Sequence, residues 1–347
     1  MLGRERVLRA AEFRDPDSPP INMFFSPATW SRYREELLPY WRRIAAVNDF
    51  YGADPAGPRS FDEFPPTYRP GEVFTDHWGC VWENITPGMQ GIISHHPLGD
   101  WAAWSSYQAP DPLQWAEYVP RDWAGLQRNI QENQQRKYLS GPGERFWERV
   151  HFVRGYQATM LDLADDSSRI TRLIDLVLEY NFKLIDHALT YDVDGLGFGD
   201  DWGEQNRLMV SPEMWRRYFK PGYREMFQRV RRAGKQVFFH TDGHLLPVIP
   251  DLIECGVTIL NVQFGGNGID RVAELCRGRV CVAIDLDRQW VMPYGTPEDV
   301  KAHVRQVVAK LDNGHGGVIL WGDVYPDTPL ANIRAFCEVF EELRAGA

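Results

Sequence analysis

Five short apolar segments in the second half of the chain constrain its fold more than any other feature. Each ends in polar residues and is followed by a helical pattern; they span 195–201, 236–242, 258–263, 280–286 and 317–323. Near-continuous apolar character over so few residues is typical of strands that helices cover on both faces. Alternation of such strands with helices predicts a parallel sheet, and in a chain of 347 residues it favours an α/β fold of the (β/α)8 TIM-barrel type.

The segments between these strands carry the start signals of helices. Ser211-Pro212 and Thr296-Pro297 each place a capping hydroxyl before a proline at the first helical position. Beyond Thr296, apolar residues recur at helical spacing on one face, namely Val300, Val304, Val307, Val308 and Leu311. These patterns predict helices that pack against the sheet.

The first half of the chain is less regular. We predict strand one at residues 21–25, strand two around Val81-Trp82 and strand three near residues 151–153. Residues 52–70 and 86–112 are rich in Pro and Gly, which indicates long loops inserted in the barrel, and in barrel enzymes such loops cover the catalytic face. No separate domain is evident, so we predict one barrel domain over residues 1–347.

Composition and charge narrow the classes of partner. The chain has 38 basic and 48 acidic residues, a net charge of −10, which disfavours nucleic acid and anionic membranes. Its five cysteines are scattered without a CxxC pair, and this indicates reduced thiols. The first 20 residues have no apolar core and no apolar run approaches 18 residues, so we expect neither export nor membrane spanning. We expect a cytoplasmic protein that acts on a small-molecule substrate. A homodimer is a possible assembly.

Polar side chains follow the predicted strands at their carboxyl ends, where a barrel of this type gathers its active site. So many ionisable groups around one cavity exceed what a packing core tolerates. We predict these catalytic residues: Asp200, Asp201, Glu204, His240 and Asp285. The predicted substrate contacts are His77, Trp78, Trp202, Asn261, Gln263 and Trp321.

Two of these motifs have a structural alternative. His240 and Asp242 lie two residues apart, so in an extended segment both side chains reach one ion, and this donor set suits Zn, Fe, Mn or Ni. Alternatively, the two side chains hydrogen-bond each other and shape the loop. Asp200 and Asp201 repel each other, which favours a protonated form that serves as general acid or base. Alternatively, one caps the following turn and the other faces solvent.

Several motifs together resemble a known superfamily over nearly the whole chain. They are DHWGCVWENITPGMQG, PLGDW, GFGDDWG, HTDG and PDTPLANI, in this order. This combination resembles the uroporphyrinogen decarboxylase superfamily, which includes corrinoid- and coenzyme M-linked methyltransferases. True decarboxylases of that family carry an Arg-Gln-Ala-Gly-Arg motif after strand one that binds substrate carboxylates. Here the stretch reads NMFFSPATW, with no arginine before Arg32. The chain therefore lacks the arginines that would bind the carboxylates of a tetrapyrrole with eight carboxylates.

The methyltransferase branch is the closer resemblance. Its zinc enzymes use a His-x-Cys motif on strand five and a Cys after strand eight. In this chain the first motif is His240-Thr241-Asp242, and the second position falls at Gly322, beside Asp323. The resemblance therefore implies either an oxygen-rich site for a divalent metal, zinc above others, formed by His240, Asp242 and Asp323, or loss of the metal.

Three functions remain open at this point. The leading hypothesis is methyl transfer from a small methylated substrate, an aryl methyl ether or a methylamine, to a corrinoid protein. There a metal or a protonated Asp200 would polarise the leaving heteroatom. The second is cofactor-free decarboxylation of a small aromatic or heteroaromatic acid, with Asp200 or Asp201 stabilising a protonated ring. The third is a non-catalytic barrel that binds a ligand or a partner.

Overall fold

The computed structural model describes residues 1–52 and 66–346 and contains a curled parallel sheet. In chain order the strands are β1 (Ile21–Phe25), β2 (Val73–Thr75), β3 (Val81–Glu83), β4 (Ile92–His95), β5 (Ser140–Pro142), β6 (Gly195–Gly199), β7 (Gln236–Thr241), β8 (Ile259–Val262), β9 (Cys281–Ile284) and β10 (Val318–Val324). Seven of them form the parallel sheet in the order β1-β10-β9-β8-β7-β6-β5. The five apolar segments of the second half are therefore confirmed as strands β6 to β10, and strand one is confirmed as β1.

Helices follow the strands and pack around the sheet. They are α1 (Gly3–Ala11), α2 (Pro27–Tyr33), α3 (Leu38–Val47), α4 (Trp123–Asn133), α5 (Trp147–Arg154), α6 (Tyr156–Ala164), α7 (Ser168–Ala188), α8 (Pro212–Tyr218), α9 (Lys220–Arg232), α10 (Ile249–Cys255), α11 (Ile269–Cys276), α12 (Val291–Tyr294), α13 (Pro297–Leu311) and α14 (Leu330–Ala345). Thr296 and Asp299 form a capping box at α13, and Ser211 accepts a hydrogen bond from the Met214 N–H at α8. Among the helices of residues 1–52 and 66–346, none has the length and apolar character needed to cross a bilayer.

Residues 49–51 close the barrel between β1 and β5. The Asp49 N–H donates to the Ile21 carbonyl oxygen at 2.9 Å, and residues 49 and 51 exchange two backbone hydrogen bonds of 2.8 Å with Tyr138. The Asp49 carboxylate accepts from the Ile21 N–H at 2.9 Å and binds both Arg6 of α1 and Arg344 of α14 at 2.6 Å. The barrel is thus completed by a segment too short to form a regular strand, and its position is fixed by a buried carboxylate.

The barrel interior is filled by side chains from several strands and from α1. They form one buried cluster that includes Val7, Ala11, Phe50, Tyr138, Ile259, Cys281, Ala283 and Ile319. Because Val7 and Ala11 belong to α1, this helix closes the amino-terminal end of the barrel. The opposite end, where the strands finish, is where polar side chains gather. All five cysteines are buried, and none of them forms a disulfide.

Two strand predictions for the first half are wrong. Residues 151–153 lie within α5, and the third strand is instead the short β5, whose sequence Ser-Gly-Pro shows no apolar run. Val81 and Trp82 do form a strand, but in a separate antiparallel sheet of order β2-β3-β4. The loop predicted over 86–112 contains β4 and a 3-10 helix at Trp101–Ser105. Of the loop predicted over 52–70, residues 53–65 lie outside the described residues.

Candidate metal centre and active site

Three predicted residues meet at the carboxyl ends of β6 and β7. The ligand atoms of Asp201, His240 and Asp242 all lie within 4.8 Å of one another. The His240 Nε2 atom is 3.5 Å from an Asp242 carboxylate oxygen and 3.8 Å from one of Asp201. Both distances exceed those of good hydrogen bonds, so the imidazole is not anchored by these carboxylates. The triad contains Asp201, whereas the predicted third ligand was Asp323.

Asn261 fixes the orientation and tautomer of His240. The Asn261 side-chain Nδ2 donates to the Ala283 carbonyl oxygen at 2.8 Å, which directs its Oδ1 toward His240 Nδ1 at 2.6 Å. Since Oδ1 only accepts, Nδ1 must carry the proton and donate. In the neutral form of the ring, Nε2 is then the unprotonated nitrogen, and it faces the two carboxylates. Asn261 was predicted as a substrate contact; the structure gives it the place of a positioning residue.

Arg288 connects the triad to Asp285, a further carboxyl group of the predicted set, and to the Tyr325 hydroxyl. Its Nη2 donates to Asp242 at 2.8 Å, its Nε lies 3.4 Å from Asp285, and its Nη1 donates to the Tyr325 hydroxyl. One Asp323 carboxylate oxygen is buried and has no hydrogen-bond partner among the described residues. Burial raises the pKa of Asp323 to about 6, although Arg288 and His240 oppose the shift. Asp285 and Asp323 thus flank the triad and do not belong to it.

We expect the metal-free protein to lose stability between pH 5 and 8 through ionisation of Asp285. Burial raises the pKa of this carboxyl from 3.8 to about 7, although Arg288 opposes the shift. Because the folded protein holds this proton more tightly than the unfolded chain does, the stabilisation is complete below about pH 4. It is lost as the pH rises through about 7.

Urea unfolding of the wild type and Asp285→Asn at both ends of this pH range measures the effect. The loss of unfolding free energy between pH 5 and 8 should be about 1 to 3 kcal/mol smaller in the variant. Equal losses in the two proteins would exclude Asp285 as the titrating group.

Two cavities open at this end of the barrel. The smaller, of about 410 Å³, is lined by Asp201 and His240 together with Gln90, Glu117, Tyr118, Arg145 and Glu148. The larger, of about 590 Å³, is lined mainly by aromatic and carboxamide side chains from the barrel strands and the closing segment, together with residues of α3 and α4. Because Gln90, Glu117 and Tyr118 belong to the long excursion between the closing segment and β5, that excursion covers the catalytic face. Loops over this face were predicted for residues 52–70 and 86–112, and of these three residues only Gln90 lies in a predicted loop.

Arg145 and Glu148 are cavity residues that sequence reasoning missed. Arg145 forms an ion pair with Glu148, and its Nε is 3.5 Å from Glu117. The Glu148 carboxylate also accepts from the Asp201 N–H at 3.3 Å. Burial raises the pKa of Glu148, and the nearby Asp201 and Asp200 add to this against Arg145. An acid that holds its proton near neutral pH therefore stands beside the triad.

Asp200 holds a helix end in place. Its relative exposure is 1%, and its two oxygens accept from the backbone N–H groups of residues 146, 147 and 148 at 2.7 to 3.1 Å. The Tyr223 hydroxyl donates a fourth hydrogen bond at 2.7 Å. Asp200 thus caps the start of α5, the helix that carries Glu148. Neither alternative for the Asp200-Asp201 pair describes this geometry fully, because Asp200 caps a helix that lies earlier in the chain and Asp201 faces the cavity.

The other predicted site residues lie at varying distances from the triad. Glu204 is paired with Arg207 at the lip of a separate groove. Gln263 accepts from the Gly243 N–H at 3.0 Å and so supports the loop that follows Asp242. Trp321 lines the larger cavity, as a substrate contact would. The structure therefore brings Trp321 to the site and leaves Glu204 outside it.

Three aromatic residues predicted as substrate contacts pack elsewhere. Trp202 is fully buried and donates to the Tyr223 hydroxyl at 2.8 Å, and Trp78 is buried beneath the Arg149 guanidinium. His77 stacks on Trp115 with ring centroids 3.7 Å apart. None of these three residues is among those that line the two cavities. Aromatic character alone did not distinguish core residues from cavity walls.

A parallel barrel with an imidazole and several carboxylates at the carboxyl ends of its strands places this chain in the class of β/α-barrel proteins. The sequence model of one such family, described as Uroporphyrinogen decarboxylase (URO-D), matches residues 150–343, more than half of the chain. The chain therefore belongs to the uroporphyrinogen decarboxylase family, which confirms the resemblance seen in its motifs.

Comparison with solved structures extends the likeness over the whole chain. A methyltransferase from Methanosarcina mazei is 14% identical, with 99% of each chain covered and a TM-score of 0.72. At this identity the match shows a shared fold. A dihydropteroate synthase from Xanthomonas albilineans is 14% identical over 59% of this chain and 67% of its own, with a TM-score of 0.32 that supports no argument. No curated protein sequence matches this chain significantly.

Proposed function

We propose that the chain forms one catalytic domain that transfers a methyl group from a small methylated substrate to a corrinoid protein, assisted by a divalent cation. The observation that carries this proposal is the free Nε2 lone pair of His240, aimed between the carboxylates of Asp201 and Asp242. The full-length structural likeness to a methyltransferase supports the type of reaction. Membership of the uroporphyrinogen decarboxylase family supports a role as an enzyme.

The three side chains fit a divalent cation by their chemistry. One imidazole nitrogen and two carboxylate oxygens form a donor set typical of Zn²⁺, Mn²⁺ or Fe²⁺, with zinc our first choice. Bonds of about 2.0 to 2.2 Å place neighbouring ligand atoms about 3 to 3.5 Å apart, close to the distances from His240 Nε2. When bound, such a cation polarises the heteroatom that carries the methyl group.

The surrounding residues prepare the site for this reaction. Asn261 holds His240 in the tautomer that presents Nε2, as partners of ligating histidines commonly do. Arg288 orients Asp242 and offsets part of its charge. Glu148 lines the cavity and holds a proton, which it can give to the departing oxygen or nitrogen as the methyl group leaves.

Methyl transfer to an isolated corrinoid tests the proposal. Purified protein loaded with Zn²⁺ is mixed with a cobalt(I) corrinoid and with 2-methoxyphenol or trimethylamine. We expect the absorbance of methylated corrinoid to appear with the loaded protein, and the rate to fall at least about 100-fold after chelation. Addition of Zn²⁺ should restore the rate, whereas Asp201→Asn should not respond to the metal. Absence of methylated corrinoid with every donor would contradict the proposal.

Cofactor-free decarboxylation is the second candidate. It is favoured by the protonated Glu148 beside Arg145, because this pair could orient a substrate carboxylate and then protonate the ring carbon that loses carbon dioxide. Release of carbon dioxide from aromatic acids at an unchanged rate in chelator would support it. Binding of the same acids without any turnover would instead indicate a non-catalytic barrel.

A further inference from the structure

We infer that the substrate has an uncharged aromatic body, seated in the larger cavity, and carries its reacting group to the triad. This inference rests on the proposed function and selects an aromatic methyl ether over a methylamine. The two cavities adjoin along β6 and β7. Gly197 and Phe238 line the larger one, and Gly199 and His240 line the smaller one. Residues two apart on a strand share a face and lie about 7 Å apart, so a ligand seated against Gly197 and Phe238 lies within reach of His240.

The larger cavity offers a flat aromatic surface. Phe238 and Trp321 stack with centroids 4.6 Å apart and planes at 26°, and Phe24 and Phe50 meet Trp321 edge-on. None of the described residues that line this cavity is charged. A wall of this kind binds a neutral ring by burial and by edge or face contacts. It has no group that would neutralise the carboxylates of a tetrapyrrole substrate.

The volume of the larger cavity favours an aromatic ether over a methylamine as the methyl donor. About 590 Å³ lies within the range of cavities that enclose drug-sized ligands, far more than a methylamine fills. Gly197 contributes to this space, because a Cβ at that position would meet only the Ser140 hydroxyl, at 3.3 Å. A small amine would leave most of the aromatic wall without contacts, whereas one or two fused rings would cover it.

Asn22 adds a preference for a ring oxygen. It lines the larger cavity, and its Oδ1 accepts from Asn48 Nδ2 at 3.3 Å. The Asn22 Nδ2 donates to no described residue, so its hydrogens are available to a ligand. A hydroxyl, carbonyl or ether oxygen on the ring is the matching acceptor. The inferred substrate is therefore an oxygen-substituted aromatic methyl ether.

Equilibrium binding to the metal-free protein tests this inference without requiring turnover. Calorimetry compares 2-methoxyphenol, methoxybenzene and trimethylamine. We expect both aromatic ethers to bind at least tenfold more tightly than trimethylamine. Asn22→Leu should weaken the binding of 2-methoxyphenol about fivefold and leave the affinity for methoxybenzene nearly unchanged, since only 2-methoxyphenol loses a hydrogen bond. Equal affinities of the aromatic ethers and trimethylamine would overturn the inference.

A cavity-filling variant separates a ligand site from a packing role. Gly197→Val should weaken the binding of both aromatic ethers more than tenfold, because the added methyl groups of valine occupy the larger cavity. Zn²⁺ content and melting temperature should stay at wild-type values, which shows that the barrel and triad are intact. Unchanged affinity for the ethers in this folded variant would overturn the inference. Methyl transfer from trimethylamine without binding of the ethers would overturn this inference and still support the proposed function. Binding of the ethers without any methyl transfer would support the inference and contradict the proposed function.

Discussion

His240→Ala is expected to remove the bound cation and nearly all activity. The variant loses the one nitrogen ligand of the triad, and two carboxylates alone bind Zn²⁺ weakly in competition with Arg288. Without the cation, the transition state loses about 4 kcal/mol of electrostatic stabilisation. This loss corresponds to a rate reduced about 1000-fold. Elemental analysis of protein purified without chelator and the corrinoid methylation rate measure the two effects.

Two further variants make this result specific. His244 lies four residues on, where its Nδ1 contacts the Gly266 carbonyl oxygen at 2.9 Å, so His244→Ala should keep both metal and activity. Asn261→Leu retains His240 but releases its Nδ1, and should weaken metal binding about 10- to 100-fold. Wild-type metal content in His240→Ala would show that the triad is not a metal site.

Asp200→Asn is expected to destabilise the fold severely, by about 3 kcal/mol or more. The carboxylate accepts four hydrogen bonds in a fully buried position, three of them from the start of α5. An asparagine amide would direct its NH₂ group at one or more of these donors in either orientation. Buried donors left without an acceptor cost about 1 to 3 kcal/mol each. Chemical unfolding followed by far-UV circular dichroism measures the change.

The neighbouring carboxylate supplies the matched control. Asp201→Asn changes the same atoms one residue further along the chain, at a partly exposed position with a single backbone donor from Asp242. It should stay within about 1 kcal/mol of the wild type and lose its metal. If Asp200→Asn proves as stable as Asp201→Asn, Asp200 does not hold α5 in place, and its predicted catalytic role regains support.

The regularity of the barrel determined how much of it could be predicted. Strands β6 to β10 are covered on both faces, so their apolar runs are visible in the sequence. The second and third barrel positions are three residues long and contain Asp49, Gly141 and Pro142, which are poor strand formers. Tertiary hydrogen bonds, and not local propensity, hold them in the barrel wall. Sequence patterns therefore could not reveal them.

The site divides in a similar way. Asp201, His240 and Asp242 were found because strand ends converge on one cavity. Arg145 and Glu148 were missed because their segment was taken to lead into a strand, and Arg288 because it follows its strand by four residues. The short Tyr138-Leu139-Ser140 stretch before a polar Gly-Pro-Gly-Glu-Arg run was the available signal. Burial, which separates Trp78 and Trp202 from Trp321, is a tertiary property.

Residues 49–51, the segment that closes the barrel, form a weakly hydrogen-bonded seam in its wall. Few backbone hydrogen bonds join residues 49–51 to their neighbours, whereas β6 and β7 pair over five residues. Phe50 and Tyr51 of this seam also line the larger cavity, far around the wall from His240. A substitution that weakens these few hydrogen bonds would change the larger cavity first and leave the pairing of β6 and β7 intact. The segment that shapes one side of the larger cavity and the strands that carry the triad therefore lie in different sectors of one wall.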